Sequence, residues 1–324
     1  MADRAPSAET IAAELLRALR GRRSQVAFSR RLGYRSNVCH TWETGKRWPT
    51  AATALQAARR VGVDLDARLR RFTRFELAFL DHTDPATPEG VAALLRALRR
   101  TLSMAVLAQR SGCSRYQVSR WLAGKAQPRL PDLLRLVDAS TSRQLDFVAV
   151  FVDPADLPCV ADRWARLESA RTLFWRQPDA LTVLMGLDLA DYAARPHRDA
   201  WLAARLGLPE ATVTEALAAL GATGQVVWRA GRWQIREVHT VDTRRFPEAG
   251  RALKRHWATV AADRVEQPDA AMSYNVFTCS DADLQRIREL YRATFTEVRA
   301  LIAASEPSER VVLVQQHVLP IDTP

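Results

Sequence analysis

The sequence Leu-Leu-Arg-Ala-Leu-Arg at residues 15–20 recurs without change at residues 94–99, an offset of 79 residues. A shared hexapeptide could arise by chance in a chain rich in Ala, Leu and Arg, so the neighbouring positions decide whether the repeat is real. They match at the same offset without a gap, and the chain therefore contains two copies of one module. The matching pairs are Ser24 and Ser103, Arg31 and Arg110, Gly33 and Gly112, Trp42 and Trp121, Gly45-Lys46 and Gly124-Lys125, Pro49 and Pro128, and Leu55 and Leu134.

The first copy of the module predicts four helices. Apolar residues at helical spacing predict an amphipathic helix around residues 11–19. Ser24 is a good N-cap for a short second helix, which Gly33 ends. A third helix is predicted from Ser36 to Thr44 and a fourth from Thr50 to Val61, which makes a helix-turn-helix unit. The second copy predicts helices in the same order, at residues 91–100, 104–111, 115–123 and 131–139.

A set of ordered motifs identifies the module further. The first copy contains Ser24-Gln25, Leu32-Gly33, Trp42-Glu43-Thr44-Gly45-Lys46 and Pro49, and the second contains Leu107-Ala108, Gly112-Cys113-Ser114, Val118-Ser119-Arg120-Trp121 and Gly124-Lys125. On these motifs both copies resemble the DNA-binding domain of the lambda-repressor/Cro (XRE) helix-turn-helix family, over about residues 9–63 and 88–140. The resemblance implies that the third helix of each copy enters the DNA major groove.

The recognition helix of the first copy has an inward and an outward face. Cys39 and Trp42 fall on the inward face and are predicted to be core. Outward side chains can reach base edges, because Asn pairs with adenine and because Ser and Thr both donate and accept. The resemblance implies that Gln25 clamps a phosphate and that Lys46 or Arg47 grips the DNA backbone. The candidate base readers are Arg35, Ser36, Asn37, His40 and Thr41.

The second copy presents a different outward face. Met104 stands at the position of Gln25 and cannot hold a phosphate, and Leu122 stands at the position of Glu43. This copy therefore either binds DNA more weakly, with arginines that suit guanine, or serves as a dimer or docking surface. A further alternative is that its arginines are merely solvated. Since the two faces differ, one chain could span two unequal half-sites, one helical turn apart or more. The candidate DNA-binding residues of the second copy are Arg115, Tyr116, Ser119, Arg120 and Lys125.

Charge is distributed unevenly along the chain. The formal net charge is +11, yet residues 1–150 carry 26 basic and 13 acidic side chains, whereas residues 151–324 carry 21 and 23. Nearly all the basic residues are Arg, so the total partly reflects a general compositional bias, but the asymmetry between the halves does not. A basic half of this kind predicts a polyanionic partner, here double-stranded DNA.

The second half predicts a third helix-turn-helix. Residues 161–176 and 178–190 are helix-like, and helices at residues 197–206 and 210–222 then precede a hairpin at residues 226–235. This order is similar to a winged helix. Its would-be recognition helix carries Glu210 and Glu215, which phosphates repel, and only Arg229 and Arg232 on the hairpin favour DNA. We therefore expect a structural or interaction role for this unit.

The C-terminal tail predicts an α/β arrangement. A strand over Met272–Asp281 is expected to lead into a helix that Ser280 or Asp281 caps, and a second strand is expected over residues 308–320. From Gly207 onward the chain resembles a family of uncharacterised bacterial regulators that join a winged helix to an α/β tail. The resemblance implies a tail that dimerises or senses a signal.

Several function classes are disfavoured by what the sequence lacks. The first ten residues contain no apolar signal segment, no apolar run approaches 18 residues, and four cysteines are scattered without a Cys-x-x-Cys pair. We expect a soluble, cytoplasmic, nucleoid-associated protein without membrane contact, metal or cofactor. Paired carboxylates, a nucleophile elbow and a phosphate loop are also missing, so no enzymatic activity is expected. His239 and Asp242 are expected to be surface groups.

The predicted fold is mainly α, with two tandem XRE-type helix-turn-helix bundles, a winged helix and a small α/β C-terminal domain. We expect a sequence-specific transcriptional regulator, a repressor that binds double-stranded DNA, forms a homodimer through residues 153–324 and has room for an unidentified effector. The alternative is a protein-interaction module, antitoxin-like or partner-docking, that uses one or both helix-turn-helix units as its surface. The domains are predicted at residues 1–80, 81–152, 153–242 and 243–324.

Overall fold

The computed structural model describes residues 6–73, 77–100, 102–236, 247–303 and 305–322. Within these ranges the chain is mainly helical, with one small two-stranded antiparallel sheet. Contacts divide the chain into two compact units, residues 1–165 and 166–324. The finer division into four domains stays a prediction, and its boundary at residues 242–243 lies outside the described ranges. No described helix is long and apolar enough to cross a bilayer.

The first repeat folds as five helices, which are α1 (Ala8–Arg20), α2 (Gln25–Arg31), α3 (Val38–Glu43), α4 (Ala51–Arg60) and α5 (Leu65–Phe72). Each begins after a residue whose side chain accepts a backbone N–H of the first turn, as Ser24 and Thr50 do. Helix α3 is shorter than the predicted Ser36–Thr44. Arg35 has no side-chain acceptor for a cap, and Asn37 is the residue that caps the helix.

The second repeat has the same order of helices, which are α6 (Pro88–Arg99), α7 (Met104–Ser111), α8 (Arg115–Leu122), α9 (Leu130–Thr141) and α10 (Gln144–Phe151). Each begins within two residues of the position that the 79-residue offset predicts. The fifth helices, α5 and α10, extend the repeat beyond the predicted region. Phe72 and Phe151 match at the same offset and are the signal in the sequence that could have revealed them.

The two repeats contact each other through equivalent residues. Ala51 N–H donates to the Pro128 carbonyl over 2.9 Å, and Leu130 N–H donates to the Pro49 carbonyl over 3.0 Å. Leu130 is the counterpart of Ala51, and Pro128 is the counterpart of Pro49, so the two bonds are one contact made twice in opposite directions. Thr50 and its counterpart Arg129 face each other as an antiparallel bridge between these bonds.

Helix packing in the first unit follows the same reciprocity. The first helix of each repeat packs on the fourth helix of the other, since α1 contacts α9 and α6 contacts α4. The fifth helices pack on each other. The Phe72 and Phe147 rings meet there at 5.4 Å between centroids, and Arg143 donates to the Phe72 carbonyl over 2.6 Å. Both aromatic side chains are buried, so the two repeats share hydrophobic contacts at this place.

The second unit begins within α11 (Ala161–Arg176) and confirms the helices predicted at residues 161–176 and 210–222 and the hairpin at residues 226–235. Helix α16 was not predicted. The remaining elements are α12 (Asp179–Gly186), α13 (Ala190–Ala193), α14 (Asp199–Leu206), α15 (Glu210–Ala222), β1 (Val226–Arg229), β2 (Arg232–Ile235), α16 (Pro247–Asp263) and α17 (Asp281–Ala303).

Helices α12, α14 and α15 form the core of the second unit. A Cβ atom at Gly186 of α12 would lie 2.9 Å from side-chain carbons of both Leu202 and Leu206, so only glycine permits this close packing of α12 on α14. The hairpin is tied to the core by the Tyr192 hydroxyl, which accepts from the Trp233 N–H over 3.1 Å. Burial raises the pKa of this hydroxyl.

The C-terminal tail contradicts the predicted α/β arrangement. Residues 272–280 and 308–320 form no strand, and most of their apolar side chains are exposed, among them Tyr274 and Leu319, although Val311 packs against the core. Their composition has high β-propensity, but a strand exists only when a neighbour completes its hydrogen bonds, and no described segment does so here. Helix α17 begins as predicted, since the Ser280 hydroxyl accepts from the Asp283 N–H over 3.1 Å.

Candidate nucleic-acid interface

Helix α3 is held by its inward face and leaves its outward face free. Cys39 and Trp42 are buried, as predicted, and the Tyr34 ring meets the Trp42 ring edge-on at 5.7 Å. His40 is exposed, and so are Arg35, Ser36 and Asn37 ahead of the helix. Thr41 is half-buried and donates to the Val38 carbonyl over 2.8 Å. The predicted base readers of the first repeat therefore lie on one accessible side.

Asn37 has a structural role in addition to its predicted role as a base reader. Its side-chain oxygen accepts from the His40 N–H over 3.3 Å and lies 3.3 Å from the hydroxyl of buried Ser29. A bidentate pair with adenine uses both the oxygen and the nitrogen of the amide. Asn37 would have to release the α3 cap to make that pair, so we expect its substitution to change the helix as well as any DNA contact.

Glu43, at the end of α3, joins three helices of the first repeat. Its buried carboxylate accepts from Gln25 Nε2 over 2.8 Å and from Arg20 Nε over 2.5 Å. The bond to Glu43 raises the pKa of the Arg20 guanidinium, against a smaller opposing effect of burial. Gln25 is half-buried, and its amide nitrogen keeps a second hydrogen for a phosphate at the start of α2. Glu43 and Arg20 were not among the predicted site residues.

The second repeat replaces this polar cluster by apolar side chains. Met104 and Leu122 stand at the positions of Gln25 and Glu43, and Leu122 is buried. Arg99, the counterpart of Arg20, instead donates to the Leu102 carbonyl over 2.8 Å. An apolar pair can substitute for a buried polar cluster without loss of stability when both partners change together. The departure of Met104 from the first repeat is therefore matched by Leu122.

Helix α8 presents the predicted residues of the second repeat to solvent. Ser114 and Gln117 form a capping box at its start, which gives α8 two more residues than α3. The Arg120 guanidinium donates to the Tyr116 hydroxyl over 3.1 Å, and the Tyr116 ring is 70% exposed. Val118, Trp121 and Leu122 are buried beneath this face. Arg115, Tyr116, Ser119 and Arg120 are all exposed on it.

At least one unpaired cation follows each of α3 and α8. The loops after α3 and α8 fold back on the helices, because Arg47 N–H donates to the Thr41 carbonyl over 3.1 Å and Lys125 N–H to the Arg120 carbonyl over 2.9 Å. Among the described residues, no carboxylate pairs with the side chains of Lys46, Arg47 or Lys125, and all three are exposed. Unpaired cations of this kind suit DNA phosphates.

Helices α14 and α15 and the hairpin of the second unit present no such surface among their described residues. Glu210 and Glu215 are exposed on α15, as predicted. The Arg232 guanidinium of the hairpin donates to the Ala193 carbonyl, which leaves Arg229 as the exposed cation of the two that the sequence offered. His239 and Asp242 lie outside the described residues. No three His, Cys, Asp or Glu side chains converge into a possible metal site in the described ranges.

Two family models match parts of the chain. Residues 91–141 match a family model described as a helix-turn-helix domain, and residues 161–321 match one described as a domain of unknown function (DUF4423). The second match begins earlier than Gly207, where the resemblance in the sequence was placed. No curated protein and no solved structure matches the chain. The match over α6–α9 indicates a DNA-binding helix-turn-helix protein.

Proposed function

We propose that this chain is a sequence-specific transcriptional regulator that reads the major groove with α3 and α8. The observation that carries the proposal is an exposed outward helix face with at least one unpaired cation behind it, and it is made in both repeats. Each repeat is then an XRE-type DNA-binding domain. Gln25, Lys46, Arg47 and Lys125 hold the DNA backbone, and side chains of α3 and α8 contact base edges.

Repression is the proposed mode of action. A bundle seated in the major grooves of a promoter excludes other proteins by its volume, so repression needs no further contact. The proposed partner is chromosomal DNA, which places the protein at the nucleoid in the cytoplasm. No chemical step is part of this function, and we propose that the chain is not an enzyme.

The second unit is proposed to be a winged helix that, with the tail, forms a homodimer through residues 153–324. Helix α17 leaves Leu290, Phe295 and Leu301 of its apolar stripe exposed, and the extended segments around Val276 and Val312 are exposed as well. An apolar stripe of this length is stabilised when a second copy covers it. We expect Leu290→Arg with Leu301→Arg to yield monomers in sedimentation equilibrium, whereas Arg286→Ala, on the same helix, keeps the dimer.

An effector site is proposed in the second unit. A pocket of about 480 Å³ lies between α11 and α15, and its lining includes Glu168, Arg176 and Gln177. The volume suits a small metabolite with both polar and apolar groups. A thermal-shift screen of small metabolites tests the proposal, since a ligand that binds the native state raises the melting temperature. The Thr172→Trp variant, which fills the pocket, serves as the control.

The DNA-binding proposal is tested by in vitro selection from random duplexes with the full chain, followed by affinity measurements on the enriched sequence. Arg115→Ala is expected to relax base preference and to cost about 1–3 kcal/mol of discrimination. Lys46→Ala is expected to weaken all sequences alike and to reduce the slope of log K against log salt by about 0.9.

A matched control removes charge elsewhere. The double variant Arg251→Ala with Arg255→Ala deletes two exposed cations of α16. It is expected to keep the affinity and the salt slope of the wild type. Failure to enrich any sequence, or an equal loss in the α16 control, would show that the recognition faces do not read DNA.

A second candidate function is favoured by one observation. The second repeat has Met104 in place of the phosphate-clamping Gln25 and exposes the large Tyr116 ring, which is typical of a protein-docking surface. Under this alternative, antitoxin-like or partner-docking, Arg115→Ala leaves DNA affinity unchanged while Gln25→Ala reduces it.

A further inference from the structure

The contact between the two repeats has the symmetry of a homodimer interface. Ala51 bonds to Pro128 while Leu130 bonds to Pro49, and in each bond the donor and acceptor are counterparts of those in the other. Such a self-complementary contact arises only from a two-fold rotation, because a head-to-tail repeat would join two different surfaces. The approximate axis passes through the bridge between Thr50 and Arg129, and it relates α3 to α8.

Both recognition helices stay outside this interface. Helix α3 packs on α1 and α2 of its own repeat, and helix α8 packs on α6 and α7. The outward side chains of His40, Arg115 and Ser119 are exposed. A two-fold axis places its two related helices at the same height along the axis, so one chain presents two recognition helices in opposite orientations.

The chain also limits how far apart these helices lie. The Thr41 carbonyl of α3 bonds to Arg47, three residues from Thr50, and the Arg120 carbonyl of α8 bonds to Lys125, four residues from Arg129. Fully extended segments of these lengths, joined by the bridge, separate Thr41 from Arg120 by at most about 45 Å. Half-sites one helical turn apart need about 34–36 Å, and two turns need about twice that. Two-turn spacing is excluded.

We propose that a single chain acts as an intramolecular dimer, which binds one DNA site made of two inverted, unlike half-sites whose centres are one helical turn apart. The proposal rests on the function proposed above and adds the geometry of the target and the number of chains that read it. Only one-turn spacing fits within the limit and brings two major grooves to the same face of the duplex.

The half-sites differ because the counterpart side chains differ. Arg115 and Arg120 stand at the positions of Ser36 and Thr41. Arginine pairs with guanine through two hydrogen bonds, whereas Ser and Thr discriminate bases weakly. The α8 half-site is therefore the guanine-rich and more stringent one, so the geometry of the site is two-fold but its sequence is not a palindrome.

The first test measures stoichiometry and spacing with the full chain and its selected duplex. At concentrations far above Kd, titration is expected to reach equivalence at one duplex per chain, whether or not chains associate through the tail. Insertion of five base pairs between the half-sites turns one of them to the opposite face and is expected to weaken binding at least tenfold. Equivalence at two chains per duplex, or half-sites two turns apart, overturns the proposal.

The second test makes the two reading faces identical. A variant gives α3 the residues of α8 through Arg35→Ser, Ser36→Arg, Asn37→Tyr, Val38→Gln, His40→Ser and Thr41→Arg, which also transfers the capping box of Ser114 and Gln117. The two-fold axis predicts that this variant selects an inverted repeat of the guanine-rich half-site. Selection of a direct repeat, or of a single half-site, contradicts the axis.

The outcomes separate this proposal from the one on which it rests. If the wild type enriches no sequence, DNA binding itself fails. If it enriches a sequence but the stoichiometry, spacing or orientation differs from that expected, only the intramolecular dimer fails. If circular dichroism shows that the variant with six substitutions does not fold, the stoichiometry of the wild type and the effect of the five-base-pair insertion decide whether the chain is an intramolecular dimer.

Discussion

The side-chain amide of Gln25 donates to the Glu43 carboxylate over 2.8 Å, whereas Met104 and Leu122 at the equivalent positions are both apolar. A polar residue at one of these positions requires a polar partner at the other, and an apolar residue requires an apolar partner. We expect Glu43→Leu to lower the free energy of unfolding by about 1–3 kcal/mol, because it leaves Arg20 and Gln25 without their acceptor. Adding Gln25→Met should recover part of that loss.

A double-mutant cycle in urea measures this coupling. The expected interaction energy between positions 25 and 43 is about 1 kcal/mol. Leu122→Glu, which places the same carboxylate in the second repeat without Gln25, is the matched control and should destabilise more than Leu122→Met. Strictly additive effects at positions 25 and 43 would contradict the coupling.

Arg100 has a backbone conformation that favours glycine, and its counterpart in the first repeat is Gly21. Its φ and ψ angles are 51° and −118°, and those of Gly21 are 60° and −138°. A non-glycine residue in such a region costs on the order of 1–3 kcal/mol. We expect Arg100→Gly to raise the free energy of unfolding by about 1 kcal/mol, after the greater chain entropy of glycine is subtracted.

The reverse change and a neutral arginine complete the comparison. Gly21→Ala should lower the thermal midpoint through its backbone alone, since a Cβ there meets nothing closer than 4.0 Å. Arg22→Gly removes an exposed arginine and should not stabilise. A loss of stability in Arg100→Gly would show that its side chain contributes more than its backbone costs.

The four cysteines should differ in reactivity. Burial, helped by the Glu14 carboxylate, raises the pKa of Cys159 to about 12, and burial also raises the pKa of Cys39 and Cys113. At pH 8 Cys159 then stays almost entirely in its thiol form, whereas the thiolate is the reactive form. Cys279 is exposed. Brief iodoacetamide treatment of the native chain should therefore alkylate Cys279 alone.

Mass spectrometry of tryptic peptides reads this pattern. Unfolding in guanidinium should make all four cysteines react, and the comparison controls for differences between peptides. Equal labelling of Cys159 and Cys279 in the native chain would mean that the loop before α11 opens readily.

Stability should depend on pH through Asp84. Arg59 binds both oxygens of this carboxylate, over 2.6 and 2.7 Å, and holds its pKa below the ordinary value of 3.8. A carboxylate with a lowered folded pKa stabilises the protein above its unfolded pKa, and the benefit disappears as pH falls through the folded one. Asp84→Asn should therefore be less stable than wild type at pH 7, by under about 1 kcal/mol for so exposed a pair.

Urea midpoints at several pH values test this expectation. The difference between wild type and Asp84→Asn should be constant down to about pH 4 and shrink below it. Asp66→Asn, which removes the more distant carboxylate near Arg59, serves as the control and should show less pH dependence. A difference that persists unchanged at pH 2 would mean that the ion pair is not its cause.

The sequence was most informative where one residue decides a helix end. Ser24, Gly33 and Thr50 placed the boundaries of the first repeat to within about two residues. Helix α3 is shorter than its periodicity predicts because Asn37 is the residue that caps its start. Helical periodicity indicated the outward faces of α3 and α8, whereas Gln25, Lys46 and Arg47 were implied only by the family resemblance. The bonds of Glu43 to Arg20 and Gln25 require three helices to meet, which no single helix reveals.

Two other features depend on partners distant in sequence. Residues 272–280 and 308–320 have the composition of strands, and nothing in that composition reveals that no segment in the described part of the chain pairs with them. The reciprocal bonds at Pro49 and Pro128 are made by backbone atoms, which every residue possesses. The pattern of side chains therefore predicts the repeat, but it does not predict how the two copies contact each other.

The bridge between Thr50 and Arg129 has an evolutionary consequence. In a homodimer one mutation alters both subunits, so neither face can change without the other. Here the two repeats occupy different parts of one chain, so each can change without the other. The first repeat has the polar contact of Gln25 with Glu43, and the second has Met104 and Leu122 in its place. One copy can keep an ancestral surface while the other drifts, so a regulator of the kind proposed above would acquire new targets one half at a time.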